Sequence, residues 1–184
     1  MSTSGTSSAW IAESDWRVSL SPPPCRPHGF THVLILGGPR GWRMRVATRC
    51  HREGVLRKGP FVSLGPSDDA TLRHALESRL MGSPPHGHGD PLARAEGGTL
   101  FLDGIDGLGM ATQRLVLRFL DRLLPGVHER PGAWAGCVIA GCAPPGRGPA
   151  ADRLLMPLFD ALDKIRIEFP ATPPEVTRAI RRGE

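Results

Sequence analysis

An α/β fold built on a five-stranded, mostly parallel sheet is what this 184-residue chain predicts, and three observations carry the prediction. Five short runs rich in Val, Ile, Leu and Phe recur along the chain, bounded by Gly or Pro. Stretches with helically spaced apolar residues stand between them, and repeated strand–helix alternation is the pattern of a parallel sheet flanked by helices. The composition is 40% hydrophobic, which supports one core with tails, and no internal repeat is visible.

Residues 1–9 are small and polar, as in a disordered end. Residues 10–20 alternate loosely and fit either a short strand or a helix. Pro22, Pro23, Pro24 and Pro27 make 21–29 an extended linker. The run 32–36 reads as a buried parallel strand ended by Gly37 and Gly38. A helix over 42–52 would turn Val46, Ala47 and Cys50 to one side. Residues 61–64 form a second strand, stopped by Gly65 and Pro66, and Asp68 or Asp69 is placed to cap a helix through Leu72, Leu76 and Leu80. A His/Pro/Gly loop over 83–91 leads to a third strand, 99–102, which ends in Asp103. The strongest helix is 111–124, where Leu115, Phe119 and Leu123 recur every four residues before Pro125 and Gly126 stop it. A fourth strand over 135–140, a Pro/Gly loop, a helix over 152–162 and a fifth strand over 165–169 complete the core. A short basic helix over 175–182 follows Pro173 and Pro174. The organisation predicted is an N-terminal disordered, Pro-rich segment at 1–28, an α/β core at 29–170 and a basic tail at 171–184.

Net charge is +5 with a pI of 9.7, and nearly all the positive charge is Arg, since Lys58 and Lys164 are the only lysines. A basic balance permits nucleic acid or acidic partners, but an Arg-rich, Lys-poor chain reads first as genomic base composition. Cys25, Cys50, Cys137 and Cys142 lack paired spacing, which argues against a metal knuckle and for reduced thiols in a cytoplasm. No run reaches transmembrane length, and the N-terminus lacks the basic-then-apolar order of a signal peptide.

The order of these pieces resembles the AAA+ central domain of sigma-54-dependent transcription activators, the bacterial enhancer-binding proteins. Val33-Leu-Ile-Leu-Gly37 looks like the strand entering that family's Walker A loop. Gly59-Pro-Phe-Val-Ser-Leu64 and Leu76-Glu-Ser-Arg-Leu-Met-Gly82 are similar to its second strand and its L-E-S-E-L-F-G helix end. Gly97-Gly-Thr-Leu-Phe-Leu-Asp103 resembles its Walker B strand almost letter for letter, Gln113 and the helix after it match the next element, and Val138-Ile-Ala140 resembles the sensor strand. The resemblance covers roughly residues 30 to 170. It implies a three-layer P-loop NTPase core, here without the family's helical lid.

The resemblance also assigns roles and exposes losses. Gly37, Gly38, Gly41 and Arg43 fall on the phosphate loop, and Asp103 falls on the magnesium-coordinating carboxylate, so these five are the candidate nucleotide-binding residues and Asp103 the candidate metal ligand. A working loop needs Gly-rich backbone to wrap phosphates and a Lys to reach the β/γ oxygens. Here Arg40 and Trp42 replace two Gly positions, where a side chain in a Gly-only conformation costs about 1 kcal/mol or more, and Arg43 replaces the Lys. Gly104 stands where a Glu polarises the attacking water. Asp106 lies three residues on and reads as a loop residue pointing elsewhere. Cys142 and Ala143 replace the Thr-Asn of the sensor, and Leu155 and Ala161 fall on the arginine-finger positions, with Arg153 nearby. The G-A-F-T-G-A loop that contacts sigma-54 in the family is missing after Gly82. The loop there carries His86, His88 and Asp90, an arrangement that reads as exposed loop before it reads as a metal site.

The function expected is therefore a degenerate domain without catalytic residues, unable to hydrolyse ATP, acting in transcription regulation through protein–protein interaction. Its partner would be an intact AAA+ activator or the sigma-54 machinery. No resident cofactor is expected. A residual switch binding ATP and magnesium weakly is the alternative, as is a nucleic-acid binder using Arg178, Arg181 and Arg182. Neither nucleic acid nor membrane is an expected partner of the core, and the expected location is cytoplasmic.

Overall fold

A computed structural model describes residues 32–83, 89–123, 134–143 and 154–169, together with the backbone of 17–20. Six strands form one sheet: β1 (Arg17–Leu20), β2 (Val33–Leu36), β3 (Phe61–Leu64), β4 (Thr99–Asp103), β5 (Cys137–Cys142) and β6 (Ile165–Glu168), in the order β1-β6-β2-β5-β4-β3. The five strands β2 to β6 run parallel, as the sequence predicts. β1 is an addition to that expectation. It pairs antiparallel with β6, Arg17 opposite Glu168 and Leu20 opposite Ile165, so the sheet extends into the segment assigned to a disordered end, ahead of residue 29. Loose alternation over 10–20 left strand and helix equally open, and pairing with a distant strand decides between them.

The helices are α1 (Arg40–Glu53), α2 (Asp69–Leu80), the single turn α3 (Pro91–Arg94), α4 (Met110–Arg122) and α5 (Met156–Leu162). They divide between the faces of the sheet. α1 packs Val46 and Ala47 against Val33, Ile35, Phe101, Ile139 and Ile167 on one face. The opposite face carries α2, α3, α4 and α5 over Leu34, Leu100, Leu102, Val138 and Ala140. Alternate residues of the central strands thus enter opposite layers, which is why β2, β4 and β5 read as continuous apolar runs. Of the stripe expected on α4, Phe119 and Leu123 are buried, joined by Val116 and Leu120, while Leu115 packs half-buried at its margin.

The polar side chains that organise the layers do other work than the sequence suggests. Asp68 precedes α2, but its Oδ2 accepts from the Gly65 N–H and closes a 3-10 turn; Asp69 accepts from the Gly109 N–H and ties α2 to the head of α4. Neither caps α2. Asp90 caps α3, accepting from the N–H groups of Leu92 and Ala93. Gln113, buried in α4, donates to the Leu108 carbonyl and accepts from the Leu155 N–H, which joins α4 to the start of α5. The buried Trp134 donates its indole N–H to the Leu92 carbonyl at 2.7 Å. α5 begins at Met156 rather than 152, with Pro157 in its first turn, where proline's missing N–H costs nothing.

Candidate functional site

The carboxyl ends of β2, β4 and β5 meet beside the N-terminus of α1, the position where open parallel sheets place ligand sites. The turn after β2 is short. Gly37 and Gly38 both adopt left-handed backbone, with φ of 75° and 69°, Pro39 stands at the N-cap, and α1 starts at Arg40. The eight-residue phosphate loop expected over 37–44 is therefore a three-residue turn followed by helix. Arg40 and Trp42 lie in regular helix, so the backbone strain expected of them is relieved. Gly41 lies in the first helical turn with open space around it, so nothing requires glycine there.

Arg43 reaches from α1 across this turn. Its Nε donates to Asp103 Oδ1 at 2.6 Å, and a terminal NH of the same guanidinium donates to the Gly38 carbonyl at 2.6 Å. Arg40, one turn earlier, places its Nε 3.3 Å from Asp103 Oδ2. Asp103 is 3% exposed and Arg43 15%, so their pair is largely desolvated, while Arg40 is 68% exposed and adds little. Both carboxylate oxygens face guanidinium groups. A magnesium ion on Asp103 would have to displace Arg43, and the residues as arranged do not fit that metal.

Phe169, just past β6, covers the turn from below. Its ring lies where a β-carbon on Gly38 would fall, at 2.8 Å, and it packs against Trp42 with centroids 5.9 Å apart. Gly104 follows Asp103 in the left-handed region, φ 72° and ψ 45°, and starts a 3-10 turn, Ile105–Gly107. Asp106 in that turn is buried, 7% exposed, and its charge acts on Cys142. The residue expected in a loop thus stands in a 3-10 turn with its side chain buried. Cys142 closes β5 fully buried, and its thiol is pushed up to about 12 by burial and then by Asp106, with Arg43 opposing. Ala143 is half-buried beside it.

Four of the five candidate residues, Gly37, Gly38, Arg43 and Asp103, come together; Gly41 does not join them. Leu155 and Ala161, on the arginine-finger positions, pack half-buried against the core. Arg153, His86 and His88 lie outside the described residues, as do residues 170–184. Among the described residues no cluster of three His, Cys, Asp or Glu side chains could hold a metal ion. Three contributors were not anticipated: Arg40, Phe169, and Gly141, where a β-carbon would stand 2.9 Å from Asp103 Oδ1. Arg40 carried a legible signal, since two arginines three residues apart share one helix face opposite a strand-end aspartate.

The family model described as the Sigma-54 interaction domain matches residues 27–125, more than half of the chain. The chain belongs to this family. The Sigma-54 interaction domain match takes in the turn, α1 and Asp103 but ends before β5 and β6. A curated relative, the DNA-binding transcriptional regulator NtrC of Bradyrhizobium sp. (strain RP501 Parasponia), is 35% identical over 100 residues, covering 49% of this chain and 20% of that protein. The Psp operon transcriptional activator of Escherichia coli (strain K12) is 32% identical over 96 residues, covering 48% and 29%. The match thus spans between a fifth and a third of the length of these curated relatives. Among solved structures, NtrX from Brucella abortus in complex with ADP superposes with a TM-score of 0.58 at 25% identity, over 77% of this chain and 32% of that one. The P-loop NTPase fold of sigma-54 activators is therefore the fold of this chain. No helix among the described residues is long and apolar enough to cross a membrane.

Proposed function

We propose that this chain is a sigma-54-interaction-type domain that does not hydrolyse ATP and acts in transcription regulation by contacting a protein, either an intact relative or the sigma-54 machinery. The observation that carries this reading is the Arg43 guanidinium bonded at once to Asp103 and to the Gly38 carbonyl. It engages the carboxylate that would hold magnesium and draws the phosphate turn onto itself. Gly104 supports the reading, since it has no side chain to polarise water. Isothermal titration with ATP and magnesium, run beside a phosphate-release assay, should show no turnover. Turnover that Asp103→Ala abolishes would overturn the proposal.

A second reading, a nucleotide-responsive switch without hydrolysis, is favoured by the left-handed glycine turn that persists at Gly37 and Gly38 ahead of α1, in a fold shared with an ADP-bound NtrX. Micromolar ATP affinity lost in Arg43→Ala supports the switch, and absence of binding at millimolar ATP removes it.

A further inference from the structure

Charge is divided unevenly along this chain. Residues 40–58 hold seven Arg and Lys against the single acid Glu53, whereas residues 59–184 hold fourteen against fifteen Asp and Glu. Arg40 and Arg43 turn toward Asp103. The other five, Arg45, Arg49, Arg52, Arg57 and Lys58, are exposed. On α1, positions 42, 45, 49 and 52 fall on one face at helical spacing, opposite the buried Ala47. That face is a row of three arginines headed by Trp42, an indole 36% exposed. Arg49 meets Glu53 in an exposed pair at 2.8 Å; among the described residues Arg45, Arg52, Arg57 and Lys58 have no ion-pair partner.

We propose that the outer face of α1, with the turn after it, binds the phosphate backbone of a nucleic-acid strand. The row from Arg45 to Arg52 spans about 10 Å at 1.5 Å per residue, the length of about three nucleotides at 3.4 Å each. Guanidinium forks match phosphate oxygens two at a time, and an aromatic ring at the end of a basic row is a platform for a base. An acidic protein fits the surface less well. Protein interfaces also favour Trp and Arg, but around an apolar centre, and the large apolar groups exposed on this surface are only Trp42 and Val55. Interfaces with nucleic acid are far more positively charged. This inference does not depend on whether the nucleotide site binds or hydrolyses anything, because Arg45, Arg49 and Arg52 make none of the contacts to Asp103.

The test is fluorescence anisotropy of the full chain with a labelled 20-nucleotide single strand of mixed sequence and its duplex, between 50 and 200 mM salt. The triple variant Arg45→Gln, Arg49→Gln, Arg52→Gln should bind at least tenfold more weakly. Its salt slope should be shallower by about 2–3, at 0.7–0.9 for each phosphate no longer neutralised. A second triple, Arg114→Gln, Arg118→Gln, Arg122→Gln, makes the same change of charge on the exposed face of α4 and should bind as the parent does. Thermal unfolding of both triples checks that each is folded. Equal losses in the two triples, undiminished binding in the α1 triple, or absence of salt-dependent binding by the parent would each overturn the proposal. So would displacement of the labelled strand by poly-glutamate at a lower charge concentration than unlabelled DNA, which would identify an acidic protein as the partner.

Discussion

Gly141 sits opposite Asp103 on the adjacent strand, so close that a β-carbon there would stand 2.9 Å from the Asp103 carboxylate and 3.0 Å from Cδ of Arg43. The ion pair at the head of the sheet needs the space that glycine leaves. Gly141→Ala should push the carboxylate and guanidinium apart, at a cost of about 1–3 kcal/mol, the range for overpacking. Urea unfolding measures it; a cost below 0.5 kcal/mol would show that the pair moves aside freely.

Removing one partner of a largely buried pair leaves the other charge stranded. Arg43→Met should therefore destabilise by about 2–3 kcal/mol, below the 3–5 typical of fully buried pairs because Arg40 still faces Asp103. Asp103→Asn combined with Arg43→Met should cost less than the two single changes added together. A double-mutant cycle in urea reads the difference, and strict additivity would mean the contact contributes nothing.

Restoring an acid after Asp103 should not restore hydrolysis. Gly104 is left-handed, and a β-carbon there would meet Pro66 Cγ at 3.3 Å. Gly104→Glu is expected to lose about 1–2 kcal/mol of stability while phosphate release stays at background, because Arg43 still engages Asp103. Turnover in this variant would show that Arg43 yields to nucleotide and metal.

Gln113 satisfies two backbone groups from inside α4, the Leu108 carbonyl and the Leu155 N–H. Gln113→Leu keeps the volume and strands both groups, so a loss of about 2–6 kcal/mol follows at 1–3 each. Urea unfolding checks it, and a near-neutral result would mean that water replaces the amide.

Burial raises the Cys50 thiol to about 11 and the Cys137 thiol to about 12, from an ordinary 9.0. The folded chain holds these groups protonated more firmly than the unfolded chain does. Their contribution to stability is therefore complete below pH 9 and falls as pH rises from 9 toward 11–12. Urea midpoints should be level between pH 7 and 8.5 and drop by pH 10.5, and iodoacetamide should modify Cys50 and Cys137 slowly at pH 8 in the native chain and quickly in urea. Rapid native modification would contradict the burial.

The sequence made β2, β4 and β5 legible because each is buried on both faces and so reads as a nearly unbroken apolar run. β3 and β6, half-buried at alternate or most positions, are legible from their β-branched and aromatic residues bounded by Gly or Pro. β1 was not legible: four residues of mixed character take their conformation from β6, which lies far along the chain. At the site, Asp103 and Arg43 could be assigned from the family's spacing, but their bond to each other could not. It depends on α1 beginning at Arg40, and so on Pro39 serving as the N-cap with no side-chain bond to mark it.

Pairing β1 with β6 also has a consequence in time. The ribosome makes Arg17–Leu20 early and Ile165–Glu168 only after every other strand of the sheet. During synthesis β1 has no partner, and its docking is the contact of greatest sequence separation in the sheet, formed late on loop-closure grounds. A nascent chain stalled before Ile165 would lack both strands at that side and leave the edge of β2 open. Completion of the sheet there waits for its last strand, so it is coupled to the end of the core rather than to its beginning.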